Sequence, residues 1–173
     1  MIEIRVHGRG GQGGKKAAQI IARTAFLNGY KTQDFALYGA ERKNAPVVSF
    51  CRLDRKKINT RGYVFEPDYI LIIDDSIDME TMLKGRKKNT VTIMNTKKKI
   101  KGIYCVDATE MAIKEIGKPI GANVALAGGL LRFMKMLKLK DFEKAVAIEL
   151  EKYGKDIVRK NIKAAKRCYD EIS

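Results

Sequence analysis

Catalytic side chains are scarce in this sequence of 173 residues. Histidine occurs once, as His7, and the serines are Ser49, Ser76 and Ser173. Hydrolases that use a nucleophile need a serine or cysteine beside a histidine, and no such set is recognisable along the chain. His7 is the last residue of a predicted strand and precedes the glycine stretch, and a packed or capped side chain is favoured there over a ligand contact.

Cysteine is also rare, and its spacing excludes several classes of site. Cys51, Cys105 and Cys168 lie far apart, and no two of them form a C-x-x-C pair. An iron–sulfur cluster or zinc ion held by this chain alone is therefore not expected. The odd number and wide separation also argue against a disulfide framework, so we predict small buried side chains at these positions.

Long apolar runs are missing. No segment approaches the roughly 20 apolar residues that a membrane helix needs, and the first residues lack the basic head and apolar body of a signal peptide. A cytoplasmic protein without a membrane partner is the expectation. Hydrophobic residues make up 45% and charged residues 32% of the chain, which predicts one folded domain over residues 1–173.

Acidic residues are outnumbered, because 35 Lys and Arg face 20 Asp and Glu to give a net charge of +15. Such a balance favours anionic partners, whether nucleic acid, nucleotides or acidic proteins. The lysine runs at 84–88 and 97–101 lack the interleaved aromatic residues of a nucleic-acid platform, so no nucleic acid is expected. One face of the last predicted helix is basic, and it is either solvated or turned toward an acidic partner; it carries Lys155, Arg159, Lys163 and Arg167.

A glycine-rich stretch near the amino terminus is the main functional signal. Gly8, Gly10 and Gly13 fit G-x-G-x-x-G between a predicted strand at 2–7 and a predicted helix at 15–27. Glycines allow close approach to the backbone, and free N–H groups at a helix start stabilise an anion such as phosphate. The alternative is a tight turn without a ligand, although Arg9 and Gln12 add polar groups that such a turn does not need.

The rest of the pattern predicts an α/β fold with one open, mostly parallel, twisted sheet flanked by helices, Rossmann-like, with helices at the carboxyl end. Further strands are expected at 31–37, 47–53, 69–73, 90–94 and 103–106, and helices from about 78, at 110–116, at 123–137, and on both sides of Gly154. Asp34 stands near the position of a ribose-binding acid, but inside its strand, which weakens a nicotinamide interpretation. Asp74 and Asp75 could bind metal or act as acid and base, but a strand end with Asp75 or Ser76 capping the next helix is favoured.

Three segments together resemble the gamma subunit of 2-oxoacid:ferredoxin oxidoreductases, most closely the pyruvate type. They are the glycine stretch at 8–13, the segment at 38–47 followed by 50–54, and the segment at 121–129. The family usually has Glu-Arg-Arg-Gly-Gly or Glu-Arg-Arg-Gly-Ala in the second segment. Here Lys43 and Asn44 take the third and fourth places, and Asn44 is a residue type that tolerates the left-handed turn a glycine would make.

The resemblance implies a non-catalytic subunit of a complex that turns a 2-oxoacid, coenzyme A and oxidised ferredoxin into acyl-CoA, carbon dioxide and reduced ferredoxin. Partner alpha, beta and delta subunits would hold thiamine diphosphate, magnesium and 4Fe-4S clusters, and ferredoxin would meet the complex. This chain would hold no cofactor alone, but would contact coenzyme A and cover the active site. The implied coenzyme A residues are Gly8, Arg9, Gly10, Gly11, Gln12, Gly13 and Asn123, and the implied interface or cover residues are Tyr38, Gly39, Glu41 and Arg42.

Two other functions compete with this interpretation. A stand-alone nicotinamide- or flavin-dependent oxidoreductase would use the same glycine loop for its cofactor. A basic RNA-binding module would use the net charge. Neither accounts for the second and third segments.

Overall fold

A six-stranded sheet with the strand order β2-β3-β1-β4-β5-β6 forms the centre of the fold. The computed structural model describes residues 1–37 and 44–172. The strands are β1 (Ile2–Arg9), β2 (Lys31–Leu37), β3 (Pro46–Asp54), β4 (Tyr69–Ile72), β5 (Val91–Asn95) and β6 (Tyr104–Val106). Each predicted strand is found, with ends that differ from the prediction by at most two residues.

The helices in the described ranges are α1 (Gly14–Leu27), α2 (Met79–Leu83), α3 (Ala108–Ile116), α4 (Ala122–Leu130), α5 (Leu139–Leu150) and α6 (Lys155–Glu171). Short 3₁₀ turns precede α4 at Pro119–Gly121 and follow α5 at Glu151–Tyr153. Gly154 separates α5 and α6 with a φ of 91°, as predicted. No helix among the described residues is long and apolar enough to span a bilayer.

Strand direction confirms the predicted mostly parallel sheet and adds one exception. β1, β4, β5 and β6 pair in parallel, whereas β3 pairs antiparallel with both β1 and β2. Therefore β3 alone runs in reverse, and β2 points the same way as β1 without touching it. The reversal arises because the chain returns directly from β2 to β3 through a short connection, which suits an antiparallel pair.

One face of the sheet carries the main core. Ile4 and Val6 of β1 point to the side on which α1, α3, α4, α5 and α6 gather. All nine residues of α4 are buried, as expected of a helix that is surrounded by other elements. Its glycines lie against α6, because a Cβ on Gly128 would meet Ala165 and one on Gly129 would meet Cys168.

The helix predicted over 123–137 is too long, since α4 ends at Leu130. Beyond it the backbone makes i to i−3 hydrogen bonds, such as Phe133 N to Leu130 O at 3.0 Å. Leu131, Met134 and Leu137 are buried at a spacing of three residues, which fits these tighter turns better than an α-helix. A spacing of three residues also fits the 3.6-residue period of an α-helix, and for this reason the apolar pattern predicts a longer helix than the one found.

Two predicted helix starts also differ in detail. Asp78, and neither Asp75 nor Ser76, caps α2 by accepting from Thr81 N at 2.8 Å. Asp107 caps α3 through Glu110 N at 2.8 Å, which places the helix start at Ala108. Asp75 instead accepts from Thr96 Oγ1 at 2.6 Å.

The opposite face of the sheet is covered unevenly. Ile70 and Ile72 of β4 pack there with Met82 of α2 and with Met94 in a smaller core. Beside them, along β1, β3 and β2, the segment 62–65 lies over the face that bears Phe35, Phe50 and Arg52. Their positions opposite the core side follow from the registers Arg5 to Phe50 and Phe35 to Phe50.

Candidate functional site

The glycine loop lies at the carboxyl end of β1, beside the end of the parallel strand β4. β1 continues through Gly8 and Arg9, two residues further than predicted, since Gly10 N still bonds to Ala45 O beside β3 at 2.9 Å. The chain leaving β4 is held alongside by the bond from Ile73 N to His7 O at 2.8 Å. Gly11 is exposed with a φ of 93° and open space around its Cβ position.

Two side chains of the loop are fixed by polar contacts. Gln12 Oε1 accepts from Arg9 N at 2.7 Å, and Gln12 Nε2 donates to Asp74 Oδ2 at 2.5 Å. Arg9 Nη2 donates to Ser76 Oγ at 2.9 Å, and Arg9 Nε lies 3.4 Å from Asp74 Oδ2. The loop and the segment after β4 therefore form one rigid polar cluster, with a guanidinium at its surface.

Asp74 is the residue of this cluster whose role the sequence did not reveal. Burial by itself would raise its pKa, but hydrogen bonds from Ser76 and Gln12 and the charge of Arg9 hold the pKa below its usual value. Asp74 thus stays ionised and keeps Gln12 and Arg9 in place. The available signal was topological, because the carboxyl ends of neighbouring parallel strands meet at one sheet edge.

The start of α1 suits an anion. Gly13 occupies the N-cap position with a φ of 78°, no side chain caps the helix, and no acidic residue lies in its first turn. The positive end of the helix dipole and its first N–H groups therefore have no carboxylate of the first turn beside them, and the nearby Asp74 is already bound to Gln12 and Arg9.

Asn123 reaches this loop from α4, as the resemblance implied for a residue of the same site. Its side chain is buried, and Nδ2 donates to Gly13 O at 2.9 Å. A Cβ on Gly13 would overlap that side chain. The geometry gives Asn123 a supporting role beneath the loop, where it fixes the backbone that faces solvent.

The second segment is described only at its carboxyl end. Tyr38, Gly39, Glu41 and Arg42, the implied cover residues, and Lys43 lie outside the described residues. Asn44 adopts a φ of 71°, so the left-handed conformation expected of it is confirmed. Its carbonyl accepts from Arg9 Nη1 at 3.1 Å, which ties this segment to the glycine loop.

The topology disfavours the nicotinamide interpretation. In a dinucleotide-binding sheet, the ribose-binding acid follows the strand beside the glycine loop. Here β3 lies between β2 and β1, so Asp34 is in the second strand from β1. Asp34 is the register partner of Cys51, and its side chain points to the same, helix-covered side of the sheet. Burial and the charge of Glu149 raise the pKa of Asp34, which instead belongs to a charged cluster near α5.

The remaining polar candidates are mostly structural. Cys51 and Cys168 are buried, as predicted, whereas Cys105 is half-buried. Burial raises the pKa of the Cys51 thiol, which makes it unreactive. Within residues 1–37 and 44–172, no group of three His, Cys, Asp or Glu side chains could hold a metal ion.

His7 is packed, as predicted, with 4% of its surface exposed. Its Nε2 accepts a hydrogen bond from Arg5 Nε at 2.9 Å, so the ring is neutral. Burial, followed by the charge of Arg5, lowers the pKa of His7 from 6.5 to about 4.

This depressed pKa predicts a loss of stability in mild acid. Between pH 6.5 and 4 the unfolded chain binds a proton that the folded chain does not, so unfolding becomes easier as the pH falls. From pH 7 to pH 5 the free energy of unfolding should drop by about 2 kcal/mol from this group. Urea titrations at both values check it, and His7→Gln, which keeps an acceptor for Arg5, should lack most of the drop. An equal drop in both proteins would contradict the assignment.

Known proteins match this chain in sequence over nearly its whole length. The sequence model of the pyruvate ferredoxin/flavodoxin oxidoreductase family matches residues 3–171. The chain belongs to this family. It is 38% identical to pyruvate synthase subunit PorC of Methanocaldococcus jannaschii, over 99% of this chain and 97% of that protein. It is 36% identical to the pyruvate/ketoisovalerate oxidoreductases common subunit gamma of Pyrococcus furiosus, with the same coverage of both.

A solved structure of a relative matches the fold of this chain as well. The crystal structure of pyruvate oxidoreductase subunit PORC from Thermotoga maritima matches with a TM-score of 0.85 and 32% identity, over 99% of this chain and 97% of that one. The gamma-subunit resemblance drawn from the three motif segments is therefore confirmed, as is the open α/β sheet. The chain is a gamma-type member of its family.

Proposed function

We propose that this chain, as the gamma subunit of a pyruvate or related 2-oxoacid:ferredoxin oxidoreductase, binds phosphate groups of coenzyme A and helps cover the active site. Catalysis itself would reside in partner alpha, beta and delta subunits. Those subunits would hold thiamine diphosphate, magnesium and 4Fe-4S clusters, and would pass electrons to ferredoxin. The chain alone would be inactive.

The observation that carries the proposal is the open backbone at Gly11 beside the uncapped start of α1. Coenzyme A is a polyanion, and its phosphates need N–H donors and a cation. The loop offers the helix start and the Arg9 guanidinium, which is held in position by Asp74 and Ser76 on a side chain that is 29% exposed. Because Asp74 and Asn123 support the loop from below, little ordering would be required on binding.

The choice of 2-oxoacid would be made elsewhere in the complex. One relative is named a pyruvate synthase subunit, and another a subunit common to pyruvate and ketoisovalerate oxidoreductases. A gamma chain shared by enzymes of both acids would recognise what their reactions have in common. Coenzyme A is such a shared substrate, and pyruvate remains our proposed 2-oxoacid for this chain.

A charge placed in the loop tests the proposal in the assembled complex. Gly11→Asp adds a carboxylate at an exposed position, and Gln12→Ala removes the side chain that holds Arg9 N and Asp74. A carboxylate several ångströms from a phosphate should raise the KM for coenzyme A about tenfold while kcat changes little. The measurement is initial rate against coenzyme A concentration, with ferredoxin or a viologen dye as acceptor.

Gly154→Asp is the matched control. Gly154 has a φ of 91°, open space at its Cβ position and an exposed location, so it shares the positive φ and the exposure of Gly11 at a position outside the loop. Its complex should keep the coenzyme A KM of the wild type. Unchanged KM values for Gly11→Asp and Gln12→Ala would refute coenzyme A binding at this loop.

A further inference from the structure

Two aromatic side chains stand exposed on the sheet face opposite α1. Phe65 is 72% and Tyr63 is 51% exposed. Tyr63 stacks on Phe50 at 6.1 Å between ring centroids, and Phe50 contacts Phe35 of β2 at 5.0 Å. We call these four rings the aromatic platform. In the described part of the chain, no helix covers it.

The platform is rigid, because buried arginines hold the backbone that presents it. Arg52 Nη2 donates to Gly62 O at 2.9 Å and to Tyr63 O at 3.0 Å. Arg5 Nη1 donates to Val64 O at 3.5 Å, and both arginines are buried in the fold. The backbone of Phe65 packs against Gly85 so closely that a Cβ there would strike Phe65 O.

Fixed, exposed aromatic rings are the composition that binding surfaces favour. Tyr and Phe supply a large apolar area, and a ring that is already ordered loses little entropy when it is covered. Tyr63 stacks on Phe50, which is buried, whereas Phe65 remains largely exposed. Two buried guanidiniums hold the 62–64 carbonyls and so fix the backbone that carries both exposed rings.

The rim of the platform is basic on balance, since three cations outnumber the exposed Glu66 that follows Phe65. Arg61 precedes the platform, and Lys84 and Arg86 flank Gly85, which touches Phe65. All three are exposed, and none makes an ion pair with a residue in the described ranges. A second copy docked here would bring two basic rims together on chains of net charge +15, which opposes self-association.

We propose that the aromatic platform docks onto another subunit of the same oxidoreductase complex, on a patch with an apolar centre and an acidic rim. The proposal rests on the gamma-subunit function proposed above. Tyr63 and Phe65 would be buried at the centre of this interface. Arg61, Lys84 and Arg86 would face carboxylates at its edge.

Assembly of the co-expressed complex tests this surface. Phe65→Ala and Tyr63→Ala should weaken association of this chain with its partners at least tenfold, measured as the concentration at which half the complex dissociates. Phe26→Ala is the matched control, since Phe26 is 61% exposed at the end of α1, on the other side of the sheet. It should assemble like the wild type.

Charge reversal at the rim separates docking from misfolding. Lys84→Glu should weaken assembly and make it less sensitive to salt, whereas Lys135→Glu, exposed on another surface, should leave assembly unchanged. The isolated Lys84→Glu and Phe65→Ala chains should melt within about 2 °C of the wild type, as expected of exposed substitutions.

Three results would overturn the docking proposal. Assembly of Phe65→Ala and Tyr63→Ala at wild-type concentrations would remove the platform from the interface, while leaving the coenzyme A proposal intact. If Phe65→Ala and Tyr63→Ala weaken binding of the chain to mixed-sequence RNA but leave assembly unchanged, the platform binds nucleic acid and not a subunit. Failure of the wild-type chain to join any complex would refute the gamma-subunit function as well.

Discussion

Replacing Gly13 with alanine should destabilise the chain by about 3 kcal/mol, combining left-handed backbone strain with the loss of a buried hydrogen bond. The φ of 78° at Gly13 strains any residue with a Cβ. The new methyl would also occupy the position of the Asn123 amide, whose bond to Gly13 O is 2.9 Å long. Denaturant unfolding of the isolated chain measures the change.

Gly11→Ala separates the two causes. Gly11 also has a positive φ, of 93°, but nothing lies within 4 Å of its Cβ position. Gly11→Ala should be destabilised by backbone strain alone, at a cost of about 1 kcal/mol in unfolding free energy. In the double variant Gly13→Ala with Asn123→Ala the overlap disappears. Its loss of unfolding free energy should therefore be smaller than the sum of the two single-variant losses, by about 1 kcal/mol or more. Strict additivity would show that Asn123 does not support the loop.

Replacing Arg52 with methionine should cost about 3–5 kcal/mol of unfolding free energy, the range for breaking one side of a buried ion pair. Arg52 is 1% exposed and binds four groups, namely Glu3 Oε1 at 2.8 Å, Gln33 Oε1 at 3.1 Å, and the carbonyls of Gly62 and Tyr63. Methionine fills similar space and satisfies none of them. The loss should also speed hydrogen exchange of the backbone around 62–64.

Arg55→Met is the comparison for that variant. Arg55 is exposed, donates to Asn28 O at 2.9 Å and lies over the Tyr30 ring, so its loss should cost about 1 kcal/mol or less. Arg52→Lys should lose an amount of unfolding free energy between those of Arg52→Met and Arg55→Met, since lysine retains the charge without the planar donor set. If Arg52→Met unfolds within 1 kcal/mol of the wild type, the segment 62–64 is held by something other than this guanidinium.

Most of the fold was predictable because local patterns and topology agree. The alternating residues of β1 and the amphipathic α5 and α6 put their apolar residues on one readable face, and the continuous apolar run of β4 is buried on both faces of the sheet. The reversal of β3 was not predicted, since side-chain alternation is the same for both strand directions. The early end of α4 was missed because Leu131, Met134 and Leu137 repeat at a spacing that turns and helices share.

The candidate site was predictable in part. The glycine spacing located the loop, and the resemblance included Asn123. Asp74 was interpreted as part of a strand end or of a metal or acid–base pair, and Ser76 as a possible helix cap, so their contacts with the loop were missed. Their contacts with Gln12 and Arg9 join positions more than 60 residues apart. Such contacts depend on which strands are neighbours, and this information is absent from a linear pattern. The aromatic platform was missed for the same reason, since Phe35, Phe50 and Phe65 are dispersed along the chain.

Hydrogen exchange of the assembled complex, with and without coenzyme A, is the most direct measurement of the central claim. Saturating coenzyme A should slow exchange of the amides between Gly10 and Lys16, while those around Gly154 exchange at an unchanged rate. If coenzyme A slows exchange in partner subunits and leaves the 10–16 amides unaffected, this chain does not bind the phosphates.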